Sequence, residues 1–147
     1  MSADLTRANQ WIWETLTGDN IITVVLGVGQ RIYFDMAPQA TATYRGPFIM
    51  VTYLGGADKV QTSRTRLTNA LYLIRAVRVG SAYSQIEAIA DRIEDVLTVP
   101  DTGTIVRDTR ISSCIREQPH QRTDAEGGIP TVYLGGFYRI KFQPAEF

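Results

Sequence analysis

Two strand-like segments carry apolar side chains at both alternating positions, and this pattern constrains the fold more than any other. The segments are Phe48–Leu54 and Leu67–Val79. Because successive side chains of a strand point to opposite faces, neither face of these strands suits water. In the first segment Phe48, Met50 and Leu54 alternate with Ile49, Val51 and Tyr53, and in the second Leu71, Leu73 and Val77 alternate with Ala70, Tyr72 and Ile74. We therefore expect cover on both faces, from a helix, another sheet or another subunit.

Two further segments have the periodicity of amphipathic helices. The first is predicted to run from a cap at Asp4 to about Thr17, where Gly18 ends it. The second follows Gly80-Ser81 and ends before Pro100, and its apolar stripe consists of Tyr83, Ile86, Ile89, Ala90, Ile93, Val96 and Leu97. These helices suit one face of a sheet.

Shorter segments complete the predicted order. A cap at Asp19 or Asn20 favours a short helix over a strand at Ile21–Leu26. The other predicted strands are Arg31–Phe34, Thr104–Val106, Ile111–Arg116 and Thr131–Phe142, and the polar loops are Met36–Gly46, Gly55–Thr65 and Pro119–Pro130. The sequence therefore predicts one α+β domain over residues 1–147, with a mostly antiparallel sheet and with the N-terminal helix and the central amphipathic helix packed on one side.

Charge and cysteine content narrow the classes of function. Lysine and arginine number 15, as do aspartate and glutamate, whereas a free-standing nucleic-acid-binding domain usually has a basic excess. A net charge of zero also gives little protection against self-association. Cys114 is the single cysteine, so no disulfide can form within one chain. The chain begins without a signal-peptide pattern, and its apolar runs fall short of the ~20 residues that cross a bilayer.

Side chains suited to catalysis are scarce. The single histidine, His120, lies in a predicted loop, and Cys114 alternates with Ser113 and Ile115 in a predicted strand. A solvated histidine and a buried cysteine explain these residues better than a base and a nucleophile. Gly27-Val28-Gly29 lacks the third glycine of a dinucleotide-binding loop. We therefore predict no enzyme and no catalytic, cofactor-binding or metal-binding residues, with a small Cys/His enzyme or a ligand-binding domain as the alternatives.

Opposite charges are segregated along the chain. The basic set is Lys59, Arg64, Arg66, Arg75 and Arg78, and the acidic set that follows is Glu87, Asp91, Glu94, Asp95 and Asp101, opposed by Arg92 alone. Complementary patches on one subunit suit head-to-tail contacts, which close into rings. The alternatives are pairing within the subunit, hydrated surfaces and, around Lys59, Arg64 and Arg66, a face toward DNA in a channel. The sequence thus predicts an assembly or channel surface in these two sets.

An ordered series of short motifs resembles the tail terminator (tail completion) proteins of phages. The run Leu26–Tyr33 is similar to the family's Gly-x-Arg-Ile-Tyr segment, and Ala37-Pro38 is similar to the short loop after it. Pro47–Val51 resembles the next strand, and Leu67–Leu97 resembles the strand and amphipathic helix that follow. A Tyr-x-Ile-x-Phe ending is found at Tyr138–Phe142, so the resemblance extends from about Leu5 to the last strand. The long Pro119–Pro130 loop departs from the family.

The resemblance implies a specific role. Such proteins form a hexameric ring that caps the tail tube, stops its growth and presents a surface to head-completion proteins. DNA passes through the ring without sequence-specific contacts. The resemblance therefore implies a protein of the virion, at the head-proximal end of the tail, which assembles in the host cytoplasm and has no catalytic residues. Another connector component, such as a stopper or adaptor, or a tail-tube subunit is the alternative.

Overall fold

The helices and strands follow one another in an α+β order. The computed structural model describes residues 3–35, 46–60, 66–80, 83–98, 104–106, 109–124 and 130–144. Helix α1 (Ala3–Thr17) is followed by a single π-helical turn (Ile21–Val25), and helix α2 is Tyr83–Leu97. The strands are β1 (Ile32–Phe34), β2 (Phe48–Val60), β3 (Arg66–Val79), β4 (Thr104–Val106), β5 (Thr109–Asp124) and β6 (Thr131–Pro144).

The strands form one sheet in the described part of the chain. Its six strands lie in the order β1-β2-β3-β6-β5-β4. Strand β1 runs parallel to β2, and every other neighbouring pair is antiparallel. Because β6 lies between β3 and β5, the last strand of the chain occupies the middle of the sheet. The predicted fold class, with a mostly antiparallel sheet, is confirmed.

Both helices pack on one face of the sheet, which we call the helix side. Helix α1 buries Ala8, Trp11, Ile12 and Leu16, and α2 buries Ile86, Ile89, Ile93 and Leu97. These side chains meet alternate residues of the long strands, including Ile74, Tyr138 and Ile140. The Tyr72 hydroxyl donates a 2.6 Å hydrogen bond to Asn9 Oδ1 on α1, which fixes the helix against the sheet. The helical stripes read from the sequence therefore form the main core.

The opposite face, which we call the open face, is also apolar near its centre. Phe48, Leu73 and Val77 are buried although they do not belong to the core cluster under the helices. Strand alternation places them opposite Ile49, Ile74 and Ala76, which do belong to that cluster. The expectation that both faces of β2 and β3 are apolar is confirmed.

Two predicted loops are wrong in part. Residues 119–124, assigned to the Pro119–Pro130 loop, continue strand β5, and residues 55–60, assigned to the Gly55–Thr65 loop, continue β2. Proline is tolerated within β5 because β4 pairs only with Thr109–Ile111, which leaves the rest of β5 as an edge in the described sheet. Of the remaining predicted loop residues, 36–45, 61–65 and 125–129 lie outside the described residues.

The predicted helix caps have mixed outcomes. Helix α1 begins at Ala3, so Asp4 lies in its first turn and not at the cap. Asn20 makes no capping hydrogen bond through its side chain, whereas Asp19 Oδ2 accepts one from the Ile22 backbone N–H at 3.2 Å. The preference for a helical segment after Asp19 is confirmed, with π geometry.

Candidate assembly surfaces

The register of the sheet builds three cross-strand rows on the open face. The central row is Met50–Arg75–Gly135–His120, and it is flanked by the row Phe48–Val77–Tyr133–Arg122 and the row Thr52–Leu73–Phe137–Gln118. Gly135 contributes no side chain between Arg75 and His120. The central row therefore lacks a side chain between a basic residue and an imidazole, and the β3 backbone lies close against Gly135 at this gap in the row.

Aromatic rings border this gap. The Arg75 guanidinium lies 4.7 Å from the centre of the Tyr133 ring, and the Arg122 guanidinium lies 5.9 Å from the same ring. The His120 ring meets the edge of Phe137 at 5.6 Å between centroids. Contacts of this kind hold cations in place over an aromatic surface. We call Arg75, His120, Arg122, Tyr133 and Phe137 the cation–aromatic cluster.

The cluster is short of hydrogen-bond acceptors. Arg75 Nε and His120 Nδ1 are buried and have no hydrogen-bond partner among the described residues. Desolvation and the neighbouring Arg75 and Arg122 charges lower the pKa of His120, and desolvation lowers the pKa of Arg75. Arg122 lies 3.9 Å from Asp124, a distance too long for a hydrogen bond. An incoming carboxylate would therefore compensate the positive charge of the two guanidinium groups.

The helix side carries the opposite charge behind this cluster. Glu87, Asp91 and Asp95 form an exposed row along α2, which we call the acidic row. Glu87 and Asp91 border a cleft of about 250 Å³ between α2 and strands β5 and β6, whose other lining residues are Tyr83, Ala90, Arg116, Pro119, Gln121, Leu134 and Gly135. The Tyr83 hydroxyl is buried without a hydrogen-bond partner among the described residues.

The cleft and the cation–aromatic cluster lie back to back. Gly135 lines the cleft on the helix side and pairs with both Arg75 and His120 in the sheet register. The sheet thus separates the acidic row from the cluster, and the two cannot pair within one subunit.

A third surface is apolar. The π-helical turn leaves Val24 and Val25 each 73% exposed, and Ile21 beside them is 39% exposed. A turn of this type widens the helix, and such turns occur often at functional sites. Three neighbouring aliphatic side chains in water mark a candidate contact surface of modest size.

The structure separates the predicted basic set. Arg75 lies on the open face, whereas Arg78 donates a hydrogen bond to Gln85 on α2 and so belongs to the helix side. Lys59 and Arg66 pair with Leu67 and Val60 at the far end of the β2–β3 hairpin, away from the cluster. Arg64 lies outside the described residues.

The predicted acidic set is also divided. Glu94 Oε2 lies 2.6 Å from the Arg116 guanidinium of β5, so this carboxylate is neutralised within the subunit. Arg92, the basic residue among them, pairs with Asp19. Glu87, Asp91 and Asp95 form no salt bridge within the part of the chain that the structure describes.

Sequence reasoning missed most of the cluster. Arg122 was not singled out, and His120 was assigned to a loop, because Gln118–Asp124 has no apolar alternation. Tyr133 and Phe137 were assigned to a strand without any link to Arg75. One signal in the sequence favours a longer β5. The turn residues Gly127-Gly128 lie well after Pro119, so the strand has room to continue beyond the proline.

Cys114 and His120 do not form a catalytic pair in this fold. Both residues have even numbers, so a regular strand would place their side chains on the same face. A bulge between Arg116 and Gln118 reverses the alternation and places His120 on the other face. Cys114 is fully buried in the core under the helices, whereas His120 contacts Phe137 on the open face. Burial raises the pKa of the Cys114 thiol to about 12, so the reactive thiolate is suppressed.

Neither a metal centre nor a membrane-spanning helix is found among the described residues. Among the described residues, no three His, Cys, Asp or Glu side chains come together as metal ligands would. Neither described helix combines the length and the apolar character that crossing a membrane requires.

The fold has counterparts among solved structures. A chain from the virion of a native gene transfer agent particle superposes with a TM-score of 0.71 at 13% sequence identity, over 97% of this chain and 99% of that chain. A second solved structure superposes with a TM-score of 0.56 at 13% identity, over 100% of this chain and 98% of that chain. No protein-family model and no curated protein matches this sequence. The chain therefore shares its fold, over nearly its whole length, with a chain from a virion.

Proposed function

We propose that this protein is a structural subunit of a phage or phage-like virion. The observation that carries the proposal is the full-length match in fold to a chain of the gene transfer agent virion, with a TM-score of 0.71. The match covers 99% of that chain, so the two folds agree in extent as well as in their core. A fold alone does not fix a function, and the surfaces of this chain supply the second argument.

Those surfaces favour a role in assembly. The cation–aromatic cluster combines arginine and aromatic side chains, which are enriched at protein interfaces. The exposed Ile21, Val24 and Val25 add an apolar contact. In contrast, the potential nucleophile Cys114 is buried on the opposite face of the sheet from His120. The chain therefore offers several contact surfaces and no paired catalytic groups among these residues.

Within the virion, the role we propose is that of a tail terminator. Copies of the chain, six in the ring that the resemblance implies, cap the tail tube, end its growth and join it to a head-completion protein. The ring then lies at the head-proximal end of the tail and forms from subunits in the host cytoplasm. The order of motifs from Leu26–Tyr33 to Tyr138–Phe142 supports this role.

DNA leaving the head would pass through such a ring. The basic residues Lys59 and Arg66 lie at the end of the β2–β3 hairpin, and Arg64 falls between them in the sequence. Basic residues suit contacts with phosphates that do not depend on base sequence. We therefore propose that this end of β2 and β3 faces the lumen of the ring.

Electron microscopy of the purified protein mixed with tail tubes tests this function. The tubes come from particles assembled without the protein, and tubes alone are the control. We expect one discrete ring at one end of each tube. Repeated stacking into longer tubes would instead identify a tube subunit. A protein that stays solitary beside bare tube ends would contradict a terminator.

A further inference from the structure

We infer that the cation–aromatic cluster on the open face of one subunit is the docking site for the acidic row of α2 on the next copy. The inference rests on the proposed function, since it names the contact that would hold the ring together. The occupant is a second copy of this chain, entering with the carboxylates of Glu87 and Asp91.

The first argument is chemical complementarity. Arg75 and Arg122 both contact the Tyr133 ring, and Arg75 forms no salt bridge with any described residue. Carboxylates accept hydrogen bonds from guanidinium groups, and arginine pairs with them in a bidentate manner. The acidic row supplies carboxylates that lie exposed and, within the described chain, outside any salt bridge.

The second argument is shape. The central row of the open face has no side chain at Gly135, where β6 packs closely against β3, so no side chain stands between Arg75 and His120. On the other partner, Glu87 and Asp91 border a cleft of about 250 Å³ with the unpartnered Tyr83 hydroxyl among its lining residues. The Arg122 side chain is 61% exposed, so a neighbouring subunit can reach it.

The third argument is direction. The cluster and the acidic row lie on opposite faces of the same stretch of sheet, back to back at Gly135. A contact between them is head-to-tail, because each subunit uses a different surface toward each neighbour. Head-to-tail contacts repeat around a ring when the rotation between subunits closes. The nearby pairs Glu94–Arg116 and Glu117–Arg139 are satisfied within the subunit and do not compete.

Charge reversal on each surface tests the contact. The variants are Arg122→Glu on the open face, Asp91→Arg on the acidic row, and the double variant. Both residues are exposed, so the fold should persist. Glu14→Arg is the matched control, since Glu14 is exposed on α1, outside both surfaces. The readout is the fraction of tail tubes capped by rings in electron micrographs, with circular dichroism to verify folding.

We expect each single reversal to reduce capping at least tenfold and the Glu14→Arg control to cap normally. Capping should return in the double variant. It should also return in an equal mixture of the two single variants. Arg122→Glu makes the open face more acidic, and Asp91→Arg makes the acidic row more basic, so each variant can bind the other. The two can then alternate around a ring with an even number of subunits. Normal capping by the single variants, or no rescue by the double variant and the mixture, would overturn this contact and leave the terminator role intact. A wild-type protein that caps no tubes would overturn both.

Discussion

Arg92 on helix α2 holds Asp19, the residue between α1 and the π-helical turn, by two parallel hydrogen bonds. Arg92 Nε donates to Asp19 Oδ2 at 2.9 Å, and a terminal nitrogen of Arg92 donates to Oδ1 at 2.8 Å. Asp19 Oδ2 also accepts from the Ile22 backbone N–H. One carboxylate therefore caps the π-helical turn and ties it to α2, where a further hydrogen bond joins Gln85 to the Leu26 carbonyl.

Replacing Asp19 with Asn should destabilise the protein. The change removes the charge that pairs with Arg92, whereas the Asn amide oxygen can still accept the capping hydrogen bond, so the loss reports on the ion pair. We expect a lower Tm at neutral pH by thermal denaturation, with Glu14→Gln as a control on the exposed side of α1. Equal Tm values for Asp19→Asn and wild type would show that the pair contributes nothing.

The same pair predicts an acid dependence. The hydrogen bond from Arg92 holds the pKa of Asp19 below its ordinary value. Its contribution is therefore present above that ordinary value and disappears as the pH falls through the lowered pKa of the folded state. The Tm difference between wild type and Asp19→Asn should shrink in acid, and a difference that stays constant from neutral pH to strong acid would contradict this assignment.

Adding a methyl group at Gly135 should disrupt the sheet. A Cβ atom there would lie 2.0 Å from the Ile74 carbonyl oxygen and 2.7 Å from the Arg75 Cα, both in the backbone of the adjacent strand. Since a backbone cannot move aside as a flexible side chain does, we expect Gly135→Ala to cost about 3 kcal/mol or more. Chemical denaturation measures the loss, with Thr131→Ala in the same strand as the control. A denaturation midpoint like that of wild type would show that the strands can separate at little cost.

Cys114 should be inert in the folded protein. It is fully buried, and burial raises the pKa of its thiol to about 12. A thiol reagent at pH 8 should react on the order of 1,000-fold more slowly than with an exposed cysteine, and at the ordinary rate in denaturant. Cys114→Ala should still cap tail tubes. Rapid labelling of the native protein, or lost function in a well-folded Cys114→Ala variant, would instead revive a catalytic role.

His120 should titrate below its ordinary pKa in the isolated subunit. Desolvation makes the largest contribution to the lowered pKa of His120, and the charges of Arg75 and Arg122 lower it further. The unfolded chain therefore takes up a proton before the folded chain does, and His120 lowers stability as the pH falls below about 6.5. An NMR titration should show that Arg122→Gln raises the pKa of His120. Arg139→Gln, whose arginine pairs with Glu117, should leave it unchanged, and an Arg122→Gln variant with an unaltered His120 pKa would separate these residues.

The sequence predicted the parts of the fold that depend on local periodicity. Helix α2 and the two-faced pattern of β2 and β3 were correct because burial on a helix stripe or on alternate strand positions leaves a direct pattern in the residues. The end of β5 was missed because Pro119 and its polar neighbours have no apolar alternation, and a proline is usually read as a break in a strand. The end of β5 accepts the proline and the polar residues because it is an edge strand that follows a bulge.

The candidate site was harder to predict from the sequence than the fold. Arg75 and the carboxylates of α2 were predicted as assembly residues from charge alone. The grouping of Arg75 with His120, Arg122 and Tyr133 depends on the register of β3, β6 and β5, which joins residues far apart in the sequence. A bulge decides that His120 faces Phe137 and not Cys114. Register and bulges are long-range properties, and they decided which residues form the site.

The position of the protein in an assembled particle tests the central claim most directly. Particles are produced with an epitope-tagged copy of the chain and labelled with antibody-coated gold for electron microscopy. A terminator predicts gold at the junction between head and tail in each particle, and unjoined heads and tails of uncontrolled length when the protein is removed. Gold along the entire tail, gold on the head shell, or a tagged protein that is never found in particles would contradict the account.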